Sequence, residues 1–140
     1  MENLKSTITV QTSVKAPREK CWQIWTTPND ILQFNNPFDD WHTTRVEIDV
    51  REQGKLYYRM EAKDGSAGFD FSGKYDKIIP NALIEYTGDD GRKAINTFTP
   101  DGDYTTITET FEPETETPIE KQREFVQTIL DNFKKYVEGR

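Results

Sequence analysis

The C-terminal stretch PIEKQREFVQTILDNFKKYVE constrains this chain most. Within it Ile119, Phe125, Ile129, Phe133 and Val137 recur at helical spacing, joined by Val126, Leu130 and Tyr136. Charged and polar residues fill the opposite face, so the stretch reads as one long amphipathic helix. A helix with an apolar stripe must bury it against another element. Thr117, Pro118 and Glu120 read as its start, a capping box with Pro at the first helical position. The acidic linker EPETETP precedes the helix and Gly139 follows it.

What the helix packs against is legible upstream. ITVQTSV alternates, with Ile8, Val10, Thr12 and Val14 on one face of a half-buried strand. In APREKCWQIWTTP, Pro17 suits a first helical turn. Cys21, Trp22, Ile24 and Trp25 make the stripe of a short helix that Pro28 ends. NDILQF predicts a second short helix, capped by Asn29 or Asp30. Alternating runs then follow. Val46, Ile48 and Val50 are in phase, as are Leu56, Tyr58 and Met60, and then Phe69, Phe71, Gly73 and Tyr75. EQG, KDGSAG, PNA and GDDG supply turns between them. Gly73, inside a strand, marks a bulge or a close backbone approach. LIEYT, RKAINTFTP and YTTITETF complete the antiparallel series.

This order predicts an α+β helix-grip fold. A curved antiparallel sheet of about six to seven strands wraps a long C-terminal helix, with two short helices after the first strand. Such an arrangement encloses a space between sheet and helix. The 140 residues fit one domain spanning 1–140.

Net charge of −7 argues against nucleic acid or an anionic membrane surface as partner. No apolar run approaches the ~20 residues of a membrane span. The polar start MENLKSTITV lacks an apolar signal core, and Cys21 stands alone, so the expected setting is the cytoplasm. Oligomeric state is left open.

Two side chains are candidates for chemistry. His42 is the one histidine, in ILQFNNPFDDWHTT, beside Asp39 and Asp40. Imidazole titrates near neutrality and can serve as a general base. One histidine without a second histidine or paired cysteines does not make a metal site, so no metal is expected. The better reading of this stretch is a polar loop whose Phe34, Phe38 and Trp41 plug the mouth of a cavity. Glu109 shares phase with Ile107 and Phe111 and so turns inward, where a carboxyl must find partners or take up a proton. Asn96 is a weaker inward polar candidate. No glycine-rich phosphate loop and no Ser–His–Asp set is present, and no cofactor is expected.

Aromatic residues make up 12% of the chain, enough to fill a core or to line a cavity. The expected cavity lining is Trp22, Trp25, Phe34, Trp41, Tyr58 and Met60, with Phe69, Phe71, Phe98 and Phe111 from later strands. Phe125, Ile129 and Phe133 join them from the last helix.

Several stretches resemble one family over nearly the whole chain, roughly Ile8 to Val137. They are APREKCWQIWTTPNDILQF, GKLYYRM, FDFSGKYDKIIPNALIEYT and ILDNFKKYVE. The chain resembles the START-like (SRPBCC, Bet v-like) superfamily. Within it, the chain is similar to proteins related to the activator of the heat-shock-protein-90 ATPase, also called polyketide-cyclase-like. It departs from that pattern at Phe34, where Trp is frequent, and at Phe125-Val126, where Gly-Trp is frequent. The resemblance implies the helix-grip fold and leaves three functions open. The first is binding of a small hydrophobic molecule under the helix. The second is a co-chaperone-like interaction, and the third is an enzyme, such as a cyclase or hydrolase, acting on a hydrophobic substrate. The residues favour the first.

Overall fold

The computed structural model describes residues 6–140. Strand β1 (Ile8–Val14) leads into helices α1 (Arg18–Trp25) and α2 (Pro28–Phe34). Strands β2 (Trp41–Ile48), β3 (Lys55–Ala62) and β4 (Gly68–Ile79) follow. Then come β5 (Leu83–Gly88), β6 (Lys93–Asp101), β7 (Tyr104–Phe111) and helix α3 (Ile119–Glu138). All seven strands form one sheet in the order β1-β7-β6-β5-β4-β3-β2, and every pairing is antiparallel. The expected helix-grip arrangement is the one the chain adopts.

Two bulges set the curl of the sheet. One interrupts β2 between Thr43 and Arg45, the other β4 between Tyr75 and Lys77. An extra residue on one strand bends it and increases its twist. Gly73 lies beside β5, where an added Cβ would stand 2.3 Å from the Thr87 carbonyl oxygen. Of the two readings of Gly73, close approach is the one found, and the bulge lies beyond it at Asp76. The β2–β3 turn needs a glycine for the same reason, since a Cβ on Gly54 would meet the Asp49 oxygen at 1.9 Å.

Helix α3 buries its stripe unevenly. Leu130, Phe133 and Val137, in its second half, are fully buried. They meet Ile8, Val10 and Val14 of β1, Ile107 of β7, and Cys21, Ile24, Ile31 and Phe34 of the short helices in one core. In the first half Phe125, Val126 and Ile129 are only half-buried, and Ile119 is exposed. The two halves carry the same apolar period, but only the second is fully buried.

The helix starts differ from those expected. Helix α2 begins at Pro28 with Thr27 as its N-cap, so neither Asn29 nor Asp30 caps it, and Pro28 opens α2 besides ending α1. Asp30 is used elsewhere: its carboxylate accepts a 2.5 Å bond from the Tyr136 hydroxyl and pairs with Arg140. Helix α3 is preceded by Pro118, without a side-chain cap, so Thr117 and Glu120 form no capping box. Gln122 holds the entry instead. Its amide donates to the carbonyls of Thr117 (2.8 Å) and Glu114 (3.0 Å), and its oxygen accepts the Glu114 N–H at 3.0 Å.

Side chains from the helices and loops reach both edges of the sheet. Along β1, alternate carbonyls accept from α3: Thr9 from Arg123 at 3.5 Å, Gln11 from Gln127 at 3.1 Å and Ser13 from Lys134 at 2.6 Å. Along β2, the Thr43 N–H donates to Asn36 Oδ1 at 2.7 Å. Asn35 bonds the Thr43 hydroxyl, and Asn132 of α3 donates to the Asn36 carbonyl at 2.9 Å. The polar loop after α2 therefore ties α2, β2 and α3 together.

Candidate functional site

A cavity of about 560 Å³ lies between the concave face of the sheet and the first half of α3. The sequence makes room for it in a traceable way. Ile8, Phe111, Ala94, Tyr86 and Tyr75 are successive register partners across five strands. Ala94 therefore puts a single methyl between two aromatic residues, and Gly73 opposite Gly88 leaves the neighbouring row bare. The roof is Phe125, Val126 and Ile129.

The aromatic residues divide into two sets. Trp25, Phe34 and Phe133 pack against one another with ring centroids 4.9 to 5.6 Å apart. Phe98 closes on Trp22 at 5.3 Å and on Trp25 at 5.9 Å. This cluster fills the space under the second half of α3. Trp25 is its one member that also borders the cavity. The second set, Trp41 apart, forms the cavity wall. Phe71 lies 6.5 Å from Tyr58 and 5.9 Å from Tyr86, edge to face in both cases. Phe38 and Phe125 meet at 5.6 Å across the gap between the α2–β2 loop and α3, and Trp41 lies 5.8 Å from Phe69.

Of the expected lining, Trp25, Tyr58, Met60, Phe69, Phe71, Phe111, Phe125 and Ile129 border the cavity. Trp22, Phe34, Phe98 and Phe133 do not, because they are spent on the packed cluster. Trp41 is likewise outside the lining and rests against Phe69. Spacing alone missed Leu56, Tyr75, Ile84, Tyr86 and Ala94, which also border it. Tyr75 and Ala94 could have been found from their phase with Phe71 and Asn96.

Polar groups meet on the sheet side. Asn96 and Glu109 are register partners on β6 and β7, and the Asn96 amide donates to Glu109 Oε1 at 2.9 Å. Both residues are buried. Burial, opposed in part by the Asn96 bond, pushes the Glu109 carboxyl up to about 7. Tyr58 and Tyr86 are pushed well above the usual phenol range, first by burial and also by the charge of nearby Glu109. Among the described residues, neither phenol has a hydrogen-bond partner. Charged residues, including Arg92, Lys93, Glu112, Glu114, Lys121 and Glu124, border the cavity near the start of α3, the start of β6 and the end of β7.

His42 lies elsewhere. It pairs with Glu61 of β3, between Trp41 opposite Ala62 and Thr43 opposite Met60. Met60 borders the cavity, so His42 occupies the outer face and does not join Glu109. Among the described residues no three His, Cys, Asp or Glu side chains are placed to hold a metal ion. Among the described residues, no helix is long and apolar enough to cross a membrane.

Residues 15–138 match the family model described as Activator of Hsp90 ATPase homolog 1-like protein. Two similar solved structures are bacterial. The AHSA1-like protein from Aeromonas hydrophila is 36% identical, with a TM-score of 0.89 over 96% of this chain and 93% of that one. Chr148 from Cytophaga hutchinsonii is 43% identical, with a TM-score of 0.83 over 95% and 92%. CV1439 from Chromobacterium violaceum shares the fold at 21% identity and a TM-score of 0.85, over 94% and 96%. No curated protein matches.

Proposed function

The chain belongs to the Activator of Hsp90 ATPase homolog 1-like family, and we propose that it binds a small, largely apolar molecule in the cavity under α3. One observation carries this reading. The apolar stripe of α3 is continuous, yet its first half, at Phe125, Val126 and Ile129, stays only half-buried and borders about 560 Å³ of space. Packed interiors leave few voids larger than a water molecule, and ligand sites typically span roughly 300–1,000 Å³ with few polar groups among apolar walls.

The family's name also raises a contact with a chaperone. That reading needs an outer interaction surface. Among large hydrophobic residues, Ile79, Tyr104 and Ile119 are exposed as single side chains, while Phe38 and Phe69 are exposed beside the cavity. Scattered apolar residues are ordinary surface, so the cavity is the stronger reading.

The test is capture of the neutral fluorescent hydrocarbon diphenylhexatriene. Binding with micromolar affinity is expected in the wild-type protein. Ala94→Leu, which extends a side chain into the cavity, should abolish it while the protein stays folded. Equal capture by both proteins would place the probe elsewhere and remove the reading.

A further inference from the structure

We propose that the ligand is a lipophilic amine, whose protonated amino head sits at Glu109 and Asn96 while its apolar body lies under α3. The inference rests on the cavity-binding reading and names the chemical class that the cavity would take.

The polar atoms at Glu109 and Asn96 point to a donor-rich, positively charged head. Glu109 Oε1 accepts the Asn96 amide. Among the described residues, no protein donor reaches Glu109 Oε2 and no hydrogen bond is made by the Asn96 oxygen. Tyr58 and Tyr86 line the same cavity, and their hydroxyls, which can accept as well as donate, add lone pairs to it. A buried carboxylate requires compensation, and here the protein supplies one neutral amide. An ammonium group, with three donors and no acceptor, complements this set.

Among the described residues, the cations that border the cavity make no bond to that carboxyl. Arg92 Nε pairs with Asp90 at 2.7 Å, and Lys93 Nζ donates to the Thr87 hydroxyl at 3.1 Å. Neither bonds to Glu109. Lys121 is exposed on the first turn of α3. The aromatic wall adds to the selectivity, because Tyr58, Phe71 and Tyr86 line the cavity with rings whose π-systems attract a cation. The other head groups fit less well. A carboxylate would meet Glu109 as a like charge, and an alcohol would leave the buried carboxylate uncompensated. Burial raises the Glu109 carboxyl, and a bound ammonium would lower it again, which is the same attraction seen from the protein's side. A net charge of −7 also favours the approach of a cation.

Three probes with one apolar body separate the head groups: 4-phenylbutylamine, 4-phenylbutanol and 4-phenylbutanoate. Each is titrated calorimetrically at about pH 8, where the alkylamine is protonated. The amine should bind about tenfold or more tighter than the alcohol, the margin of a charge-assisted hydrogen bond, and the carboxylate weakest. In Glu109→Gln, which keeps the shape and removes the charge, amine and alcohol should bind equally. Ala94→Leu should block the amine. If Glu109→Gln fails to fold, the wild-type ratio of amine to alcohol decides alone. An alcohol or carboxylate that binds as well as the amine overturns the inference and leaves the cavity-binding reading intact. Capture of diphenylhexatriene without binding of the amine does the same. If neither the three probes nor diphenylhexatriene binds, both readings fall.

Discussion

Asn96 and Glu109 face each other across the β6–β7 ladder, and a single 2.9 Å hydrogen bond from the amide is the protein's hydrogen-bond answer to a buried carboxyl among the described residues. The pair joins the two strands next to β1 in the sheet, on the face that borders the cavity. Its imbalance, one neutral donor for one acid, has consequences for stability as well as for binding.

The folded protein holds the Glu109 proton more tightly than the unfolded chain, because burial raises the carboxyl to about 7. The stabilising contribution is therefore complete below the ordinary carboxylate range and is lost as pH rises through about 7. The unfolding free energy of the wild-type protein, from denaturant titrations, should fall between about pH 5 and pH 8 relative to Glu109→Gln, by no more than roughly 3 kcal/mol. Above that range the variant should be the more stable protein. The two proteins differ at Glu109 alone, so the difference isolates it. Parallel profiles would show that the carboxyl is not raised.

Truncations along α3 should cost unequal amounts. Phe133→Ala removes a ring fully buried against Trp25 and Phe34, with an expected loss of about 3–5 kcal/mol. Ile129→Ala trims the roof of an existing space, so the expected loss is about 1–2 kcal/mol, below the usual range for a buried Ile. Chemical denaturation measures both. Equal losses would mean that the first half of the helix is packed like the second.

Gly73→Ala should destabilise by roughly 2 kcal/mol or more, since its Cβ would meet the Thr87 carbonyl oxygen at 2.3 Å in the β4–β5 ladder. The drop in denaturant midpoint reads it directly. A neutral result would require the ladder to yield at Thr87.

His42→Ala should leave diphenylhexatriene affinity unchanged within about twofold, because a residue on the outer face opposite Glu61 touches no part of the cavity. A larger loss would bring the histidine back into the site.

The helix grip was legible because period and order are written locally: alternating strands, then one long amphipathic helix. Glu109 was legible too, since ITETF fixes its phase with Ile107 and Phe111. His42 was not. Continuous alternation through WHTTRVEI would put it on the same face as Val46 and Ile48. The bulge after Thr43 reverses the phase, so that Thr43 and Val46 face inward and His42 outward. Register slips of this kind depend on strand pairing, which no single strand reveals. The lining was half legible for a related reason. Phe133 and Phe125 occupy equivalent positions in the stripe, yet one meets Trp25 and the other borders open space. The difference arises from Ala94 and Gly73 on strands far away in the chain.

The hydrogen bonds from Arg123, Gln127 and Lys134 to β1 carry a consequence for self-association. An edge strand with free carbonyls is a template on which another copy can polymerise. Here the carbonyls of Thr9, Gln11 and Ser13 are already taken by α3. Fibril growth from this edge would first require the helix to lift away. The C-terminal helix thus acts as a gatekeeper against strand-by-strand aggregation, and loss of its anchoring would expose cavity and edge together.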